Sequence, residues 1–272
     1  MTPRHSAMCL AVVALEAHPR YALVVAANRD EYHARATAPA RWWTSPAGTA
    51  VLAGRDLAAG GTWLGMTRRG RWAFVTNVRE PGRHDPQAPS RGALVVRVLD
   101  DRRDAALALS DAQRVAGYNG FNLIAGDVAS ASWGSNRVAG TLALPSGIHG
   151  VSNARLDTPW PKLERVKAGV AAWAREGHDD VTALLDLLAD RERAPDDALP
   201  ATGVTLEWER LLSAPFIVSE GYGTRCSTVL AVARDGAAIF HERSYDATGA
   251  PTGDAVEKFA LDVIAPAAAA LR

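Results

Sequence analysis

The chain has 272 residues and a mass of 28.8 kDa, with 30 basic and 30 acidic residues and a formal net charge of zero. That length can bury a substantial core as one large domain. The even charge balance excludes the basic excess of a nucleic-acid binder, and two cysteines exclude a thiolate zinc cluster or a disulfide scaffold. No run approaches the roughly 18 apolar residues of a membrane span. No apolar stretch near Arg4 and His5 resembles a secretory signal, so the expected compartment is the cytoplasm. A Cys9–Cys226 bridge stays physically open.

Residues 9–15 and 21–27 are rich in Leu, Val and Ala and are separated by a His18-Pro19 turn, so they read as paired strands. Asn28-Arg29-Asp30-Glu31 stands at their exit. Further strands are expected at 50–53, 62–67 and 71–76, the last two joined by a basic, glycine-containing turn. A polar loop fills 82–92 and a helix is expected over 92–109. Apolar runs at 121–126, 128–133 and 138–144 read as a meander. Pro161 suits the first turn of a helix that continues over 162–176, and Asp179 or Asp180 is placed to cap another through 189. The charged run 191–204 reads as a surface loop. Strands 227–233 and 237–242 flank Arg234-Asp235-Gly236, a hairpin signal, and 255–264 fits a strand or a short helix. Many short strands with two or three separate helical regions predict an α+β fold with much antiparallel sheet. The expected domain is 8–264, with residues 1–7 an extension or misassigned start and 265–272 a tail.

Cys9 follows Met8 and opens an apolar strand. Buried cysteine ordinarily behaves as a small hydrophobe. If Met8 is the true start and is removed, however, Cys9 carries a thiol nucleophile and, in its α-amine, a base that titrates near pH ~8. Asn28 to Glu31 read either as a turn or as a strand end with Arg29 or Asp30 inward and Glu31 outward. The Gly60-Gly61-Thr62-Trp63-Leu64-Gly65 block permits close backbone approach, and Trp63 is either a pocket wall or a core anchor. It lacks the lysine of a phosphate loop. Asn77 and Asn153 end strands, where carboxamides serve as turn residues or as donors to a developing oxyanion. Arg225 can receive a carboxylate or pair with Asp30, and Cys226 is read as structural. Scattered histidines make a dedicated zinc site unexpected, while haem needs only one axial Cys, His or Met.

Together these residues resemble the NRDE family, also called the transport-and-Golgi-organisation protein 2 family. The resemblance rests on Met8-Cys9, Asn28 to Glu31, Gly60 to Gly65, Thr76-Asn77-Val78-Arg79, Tyr118 to Leu123, Val151-Ser152-Asn153, Asp157 to Leu163 and Gly223 to Thr228, and it covers nearly all of 8–260. It implies a four-layer αββα fold similar to the N-terminal nucleophile hydrolases. By likeness to the bile-salt hydrolases and penicillin acylases, Cys9 would be the nucleophile and Arg29 and Asp30 its support pair, although those residues are not adjacent in the hydrolases. Asn77 would help form the oxyanion hole, and Asn153 would support the nucleophile and the tetrahedral intermediate. Asn28, Trp63, Arg79, Asn119 and Arg225 are the substrate-binding candidates, with Arg225 the candidate for a further hydrolase arginine. The implied activity is amide hydrolysis or acyl transfer on a small acylated substrate, with no cofactor required. The family also implies an alternative, in which the fold carries haem or an amphipathic acyl lipid without cleaving it.

Overall fold

The computed structural model describes residues 9–128 and 130–262. Met8, the expected 1–7 extension and the 265–272 tail lie outside the described residues. In chain order the strands are β1 (Cys9–Leu15), β2 (Tyr21–Tyr32), β3 (Thr37–Thr44), β4 (Ala50–Asp56), β5 (Leu64–Thr67), β6 (Trp72–Asn77), β7 (Phe121–Asp127), β8 (Ser130–Ser135), β9 (Thr141–Leu144), β10 (Gly147–Val151), β11 (Tyr222–Ala233), β12 (Ala237–Tyr245) and β13 (Pro251–Ala260). Helices α1 (Gly92–Asp100) and α2 (Ala105–Gln113) fall between β6 and β7, and α3 (Pro161–Glu176), α4 (Ala183–Leu188) and α5 (Leu206–Leu212) between β10 and β11.

The strands form two antiparallel sheets, one ordered β10-β1-β2-β11-β12-β13 and the other β3-β4-β5-β6-β7-β8-β9. Period-two alternation divides their side chains between three apolar layers. From β1, Ala11, Val13 and Leu15 face the layer between the sheets, where they meet Trp63, Met66 and Trp72 of the second sheet. Leu10, Val12 and Ala14 face the opposite way, onto Leu163, Val166 and Trp173 of α3 and Leu184 and Leu188 of α4. On the far side of the second sheet, Ala73, Leu123 and Ala125 pack on Leu94, Val98 and Leu109 of α1 and α2. The result is the expected α+β, four-layer αββα order, and the apolar run of β1 is explained because both of its faces are covered.

The helix expected over 92–109 is broken. The Asp104 side chain accepts from the Ala106 and Leu107 N–H groups and starts a new helix. The Arg71 guanidinium, from the residue just before β6, donates to the carbonyls of Asp101 and Arg103 at 3.2 and 2.6 Å and closes the break. The 255–264 segment is a strand through Ala260, paired with β12. Three elements escaped the periodicity. β3 carries Pro39 and lies at a sheet edge, where a missing donor is tolerated. β10 is five residues of which two, Gly147 and Gly150, are glycine, and α5 is a short helix capped by Thr205. No helix of the described residues is long and apolar enough to cross a membrane. Replacing Asp104 by Ala should lower unfolding free energy by about 1 kcal/mol in denaturant titration; an unchanged midpoint would show that the Arg71 contacts alone hold the break.

Candidate active site

The register of three strands builds the site. Cys9 of β1 lies opposite Arg29 of β2, and Arg29 lies opposite Cys226 of β11. The two cysteine backbones are therefore two strand spacings apart, roughly 9–10 Å. That exceeds the reach of a disulfide, and both cysteines are free. The Asn28 to Glu31 segment is strand, not turn. Alternation puts Arg29 and Glu31 on the face toward the second sheet, so Glu31 is not the outward member; Asn28 and Asp30 point toward the helices. Between Thr224 and Cys226 the β11 register shifts, and Arg225 is the bulged residue.

Cys9, Arg29, Asp30, Trp63, Asn77 and Asn119 line a cavity of about 630 Å³, with Glu31, Arg35, Asp56, His84 and Arg91 among its other walls. The Trp63 indole carries the Arg29 guanidinium 4.5 Å over its ring. Behind it stands Gly54, where a Cβ would lie 2.1 Å from the Trp63 ring, so only glycine lets the indole seat there. Arg29 also donates to Thr37 at 3.1 Å and lies 3.7 Å from Glu31. Arg35 binds Asp56 through Nε and Nη2 at 3.0 and 2.6 Å. Arg91 donates to the Gly120 carbonyl, and burial pushes its guanidinium down to about 10, still charged at neutral pH.

A second set of bonds ties the two sheets together beside the thiol. Thr76 donates to the Ser152 carbonyl at 2.7 Å, Asn153 Nδ2 donates to the Asn77 carbonyl at 3.0 Å, and the Arg79 N–H donates to the Asn153 carbonyl at 2.8 Å. The Ser152 hydroxyl lies 3.0 Å from the Cys9 carbonyl oxygen and 3.1 Å from Asn153 Oδ1. Asn153 thus stands behind Asn77 and is not on the cavity wall.

The substrate-binding candidates divide. Trp63 and Asn119 reach the cavity, although the Asn119 side chain is bonded to the Asp85 backbone on the rim. Asn28 is buried under the sheet, donating to Leu188 and Pro215 carbonyls and accepting from Ser227. Arg79 is buried in an ion pair with Glu209 at 2.8 Å, its guanidinium 4.5 Å over the Trp160 ring. Arg225 pins the carbonyls of Tyr32, His33 and Arg35, not Asp30. None of these three lines the cavity.

Burial dominates the electrostatics. Desolvation, with the Asp30 charge, pushes the Cys9 thiol up to about 12, against a backbone hydrogen bond from Asp30 and the Arg29 charge. With its nitrogen in a peptide bond, this thiol stays protonated at neutral pH and needs a base. Asp30 is completely buried, accepts from Thr224 Oγ1 at 2.6 Å, and is held up at about 6 by burial against the Lys162 charge. Glu242 lies behind Arg29, accepting from the Ala40 N–H at 2.7 Å, and burial lifts it to about 7.

Lys162 and Glu242 were missed by motif reading. Glu242 shares the period-two face of Ala238 and Phe240, and Lys162 lies four residues before Val166 on the buried stripe of α3. A charge on an otherwise apolar face was the available signal.

The fold matches that of the N-terminal nucleophile hydrolases. Two variant structures of the conjugated bile acid hydrolase from Clostridium perfringens align with TM-scores of 0.51 and 0.52 over 94% and 93% of this chain and 92% of that one. At 10% identity the likeness is one of fold. The chain belongs to the Transport and Golgi organisation 2 family, whose sequence model matches residues 8–247. The human Transport and Golgi organization protein 2 homolog is 34% identical over 259 residues, and the Bos taurus homolog 36% over 269. Both alignments cover 87% of this chain and 93% of the relative.

Because folded Glu242 holds its proton more tightly than the unfolded chain, its effect on stability falls away as pH rises from 4.5 to about 7. Glu242→Gln should therefore gain about 3 kcal/mol over wild type between about pH 4 and about pH 8 in denaturant unfolding. A gap independent of pH would contradict burial of an ionisable Glu242.

Proposed function

We propose that this protein is a cysteine-dependent N-terminal nucleophile amidohydrolase or acyltransferase acting on a small acylated substrate. The observation that carries the reading is the Cys9–Arg29 register, which sets the first described residue of β1 on the cavity wall beside Arg29 and with Asn77. Cleavage after Met8 frees the α-amine that the half-buried Cys9 thiol lacks as a base.

In this reading the α-amine takes the thiol proton, and the Sγ–carbon bond forms while the carbonyl electron pair moves to oxygen. The Asn77 carboxamide donates to that oxyanion, and Asn153 fixes the Asn77 backbone. Collapse breaks the C–N bond, the leaving amine takes the proton from the α-ammonium, and a thioester remains on Cys9. Water completes hydrolysis, or an acceptor amine completes transfer. Asp30 orients the α-ammonium, and Arg29, stacked on Trp63, holds the wall against which substrate lies.

The carrier alternative is supported less well. Cys9, Tyr32 and His84 are side chains of haem-ligating type on the wall, but Arg29, Arg35, Arg91, Glu31 and Asp56 lie among them. That ionic lining suits a small polar acyl compound better than an apolar macrocycle or lipid chain.

Incubating the mature protein with a panel of small N-acyl amides should leave a hydroxylamine-sensitive acyl mass on the Cys9 peptide. Cys9→Ala should abolish turnover, and Asn77→Ala should slow acylation about 10²–10³-fold. Saturable haem or acyl-chain binding that survives Cys9→Ala, with no adduct on wild type, would establish the carrier instead.

A further inference from the structure

Beneath the cavity, on the helix side of the first sheet, lies a buried cation that the proposed reaction has not used. Trp160 and Pro161 open α3, and Lys162 follows in its first turn, 2% exposed. An amphipathic helix ordinarily turns lysine to solvent. Here the Lys162 Nζ is buried without a hydrogen-bond partner, and so is Asp30 Oδ2, whose sister oxygen is taken by Thr224. With Arg79 Nε, which is also unpartnered, these buried polar atoms carry an energetic penalty that ordinary packing does not explain.

The charges acting on Lys162 are those of Asp30 from β2, Arg79 from the segment after β6, Cys9 from β1 and Glu209 from α5. Arg79 and Glu209 neutralise one another at 2.8 Å. On the cavity face, Arg29 is engaged by Thr37, Glu31 and the Trp63 ring. Asp30 is therefore the anion that acts on Lys162, through its charge and not through a direct ion pair, with Arg29 and Glu31 as the other charges acting on Asp30.

A lone buried carboxylate beside the terminal α-amine would hold that amine protonated, and an ammonium cannot accept the thiol proton. A second cation sharing the carboxylate relaxes this hold. We infer that Lys162 is a positioning residue for the nucleophile: its ammonium shares Asp30 from the helix side, so that the carboxylate orients the Cys9 α-amine while leaving it free to act as a base. This rests on the terminal-nucleophile reading. The mutual influence of the pair is consistent with it, since burial lowers Lys162 to about 8 against the pull of Asp30. The Trp160 ring under Arg79 and the packing of α3 on β1 hold the lysine in place.

The test is the pH dependence of Cys9 alkylation by iodoacetamide in full-length mature protein, a readout independent of any substrate. Lys162→Met should raise the inflection by about one pH unit, slowing alkylation at neutral pH about tenfold. Lys162→Arg should restore the rate to within about threefold, since the cation is retained. The double variant Asp30→Asn/Lys162→Met, which buries neither charge, should return the inflection toward wild type and covers the case in which the single variant fails to fold. A reactive wild type whose inflection is unmoved by Lys162→Met, or a double variant displaced as far as the single, overturns the assignment of Lys162 alone. A wild-type Cys9 inert at every pH overturns both this assignment and the terminal-nucleophile reading.

Discussion

The pairing of β1 with β2 is the constraint on which the site depends. Both faces of β1 are buried, with Val13 and Leu15 in the layer between the sheets and Leu10 and Val12 under α3. A slip of one residue would exchange the two sets and carry Cys9 from the cavity to the helix side. The apolar alternation therefore fixes the position of the thiol as firmly as any bond to it. The same register lines Arg29 up between Cys9 and Cys226, and separates it from Asp30, which β11 meets through Thr224.

The second organising feature is the joint between the sheets. Thr76, Asn77 and Arg79 at the end of β6 bond to Ser152 and Asn153 just after β10, and Ser152 reaches the Cys9 carbonyl. Loss of Asn153 would therefore act on the backbone that presents Asn77, with the cavity wall itself unaltered. Under this joint Arg79 and Glu209 pair at 2.8 Å, while Arg79 Nε, Asp30 Oδ2 and Lys162 Nζ are left without hydrogen-bond partners. In a low-dielectric interior such an imbalance is expensive for structure, and proton chemistry is one setting in which it has a use.

Much of this was legible in the sequence. The β1 and β2 strands, the 121–144 meander, α3 and the hairpin at Arg234-Asp235-Gly236 follow from period and turn chemistry, and the four layers follow from the family resemblance. Cys9 and Trp63 stood out, and both reach the cavity. Local reading failed where partners come from distant chain. Asn28 has polar turn chemistry, yet Leu188, Pro215 and Ser227 absorb its side chain inside a strand. Arg225 has a fork suited to carboxylates, but the bulge at its position turns it onto three backbone carbonyls. The helix over 92–109 breaks because Asp104 caps it and Arg71, some thirty residues away, takes its loose carbonyls. Lys162 and Glu242 each lie on an apolar face of their element, and the layer packed over that face is what buries the charge.

The most direct test of the account is the covalent state of Cys9 in protein made from its native gene. Intact mass combined with analysis of the N-terminal peptide reads it without any assumption about substrate. The account predicts a mature chain whose first residue is Cys9 with a free α-amine. A mature chain that keeps Met8 joined to Cys9, or a blocked Cys9 amine, would leave the Cys9 thiol without its base and contradict the terminal-nucleophile mechanism.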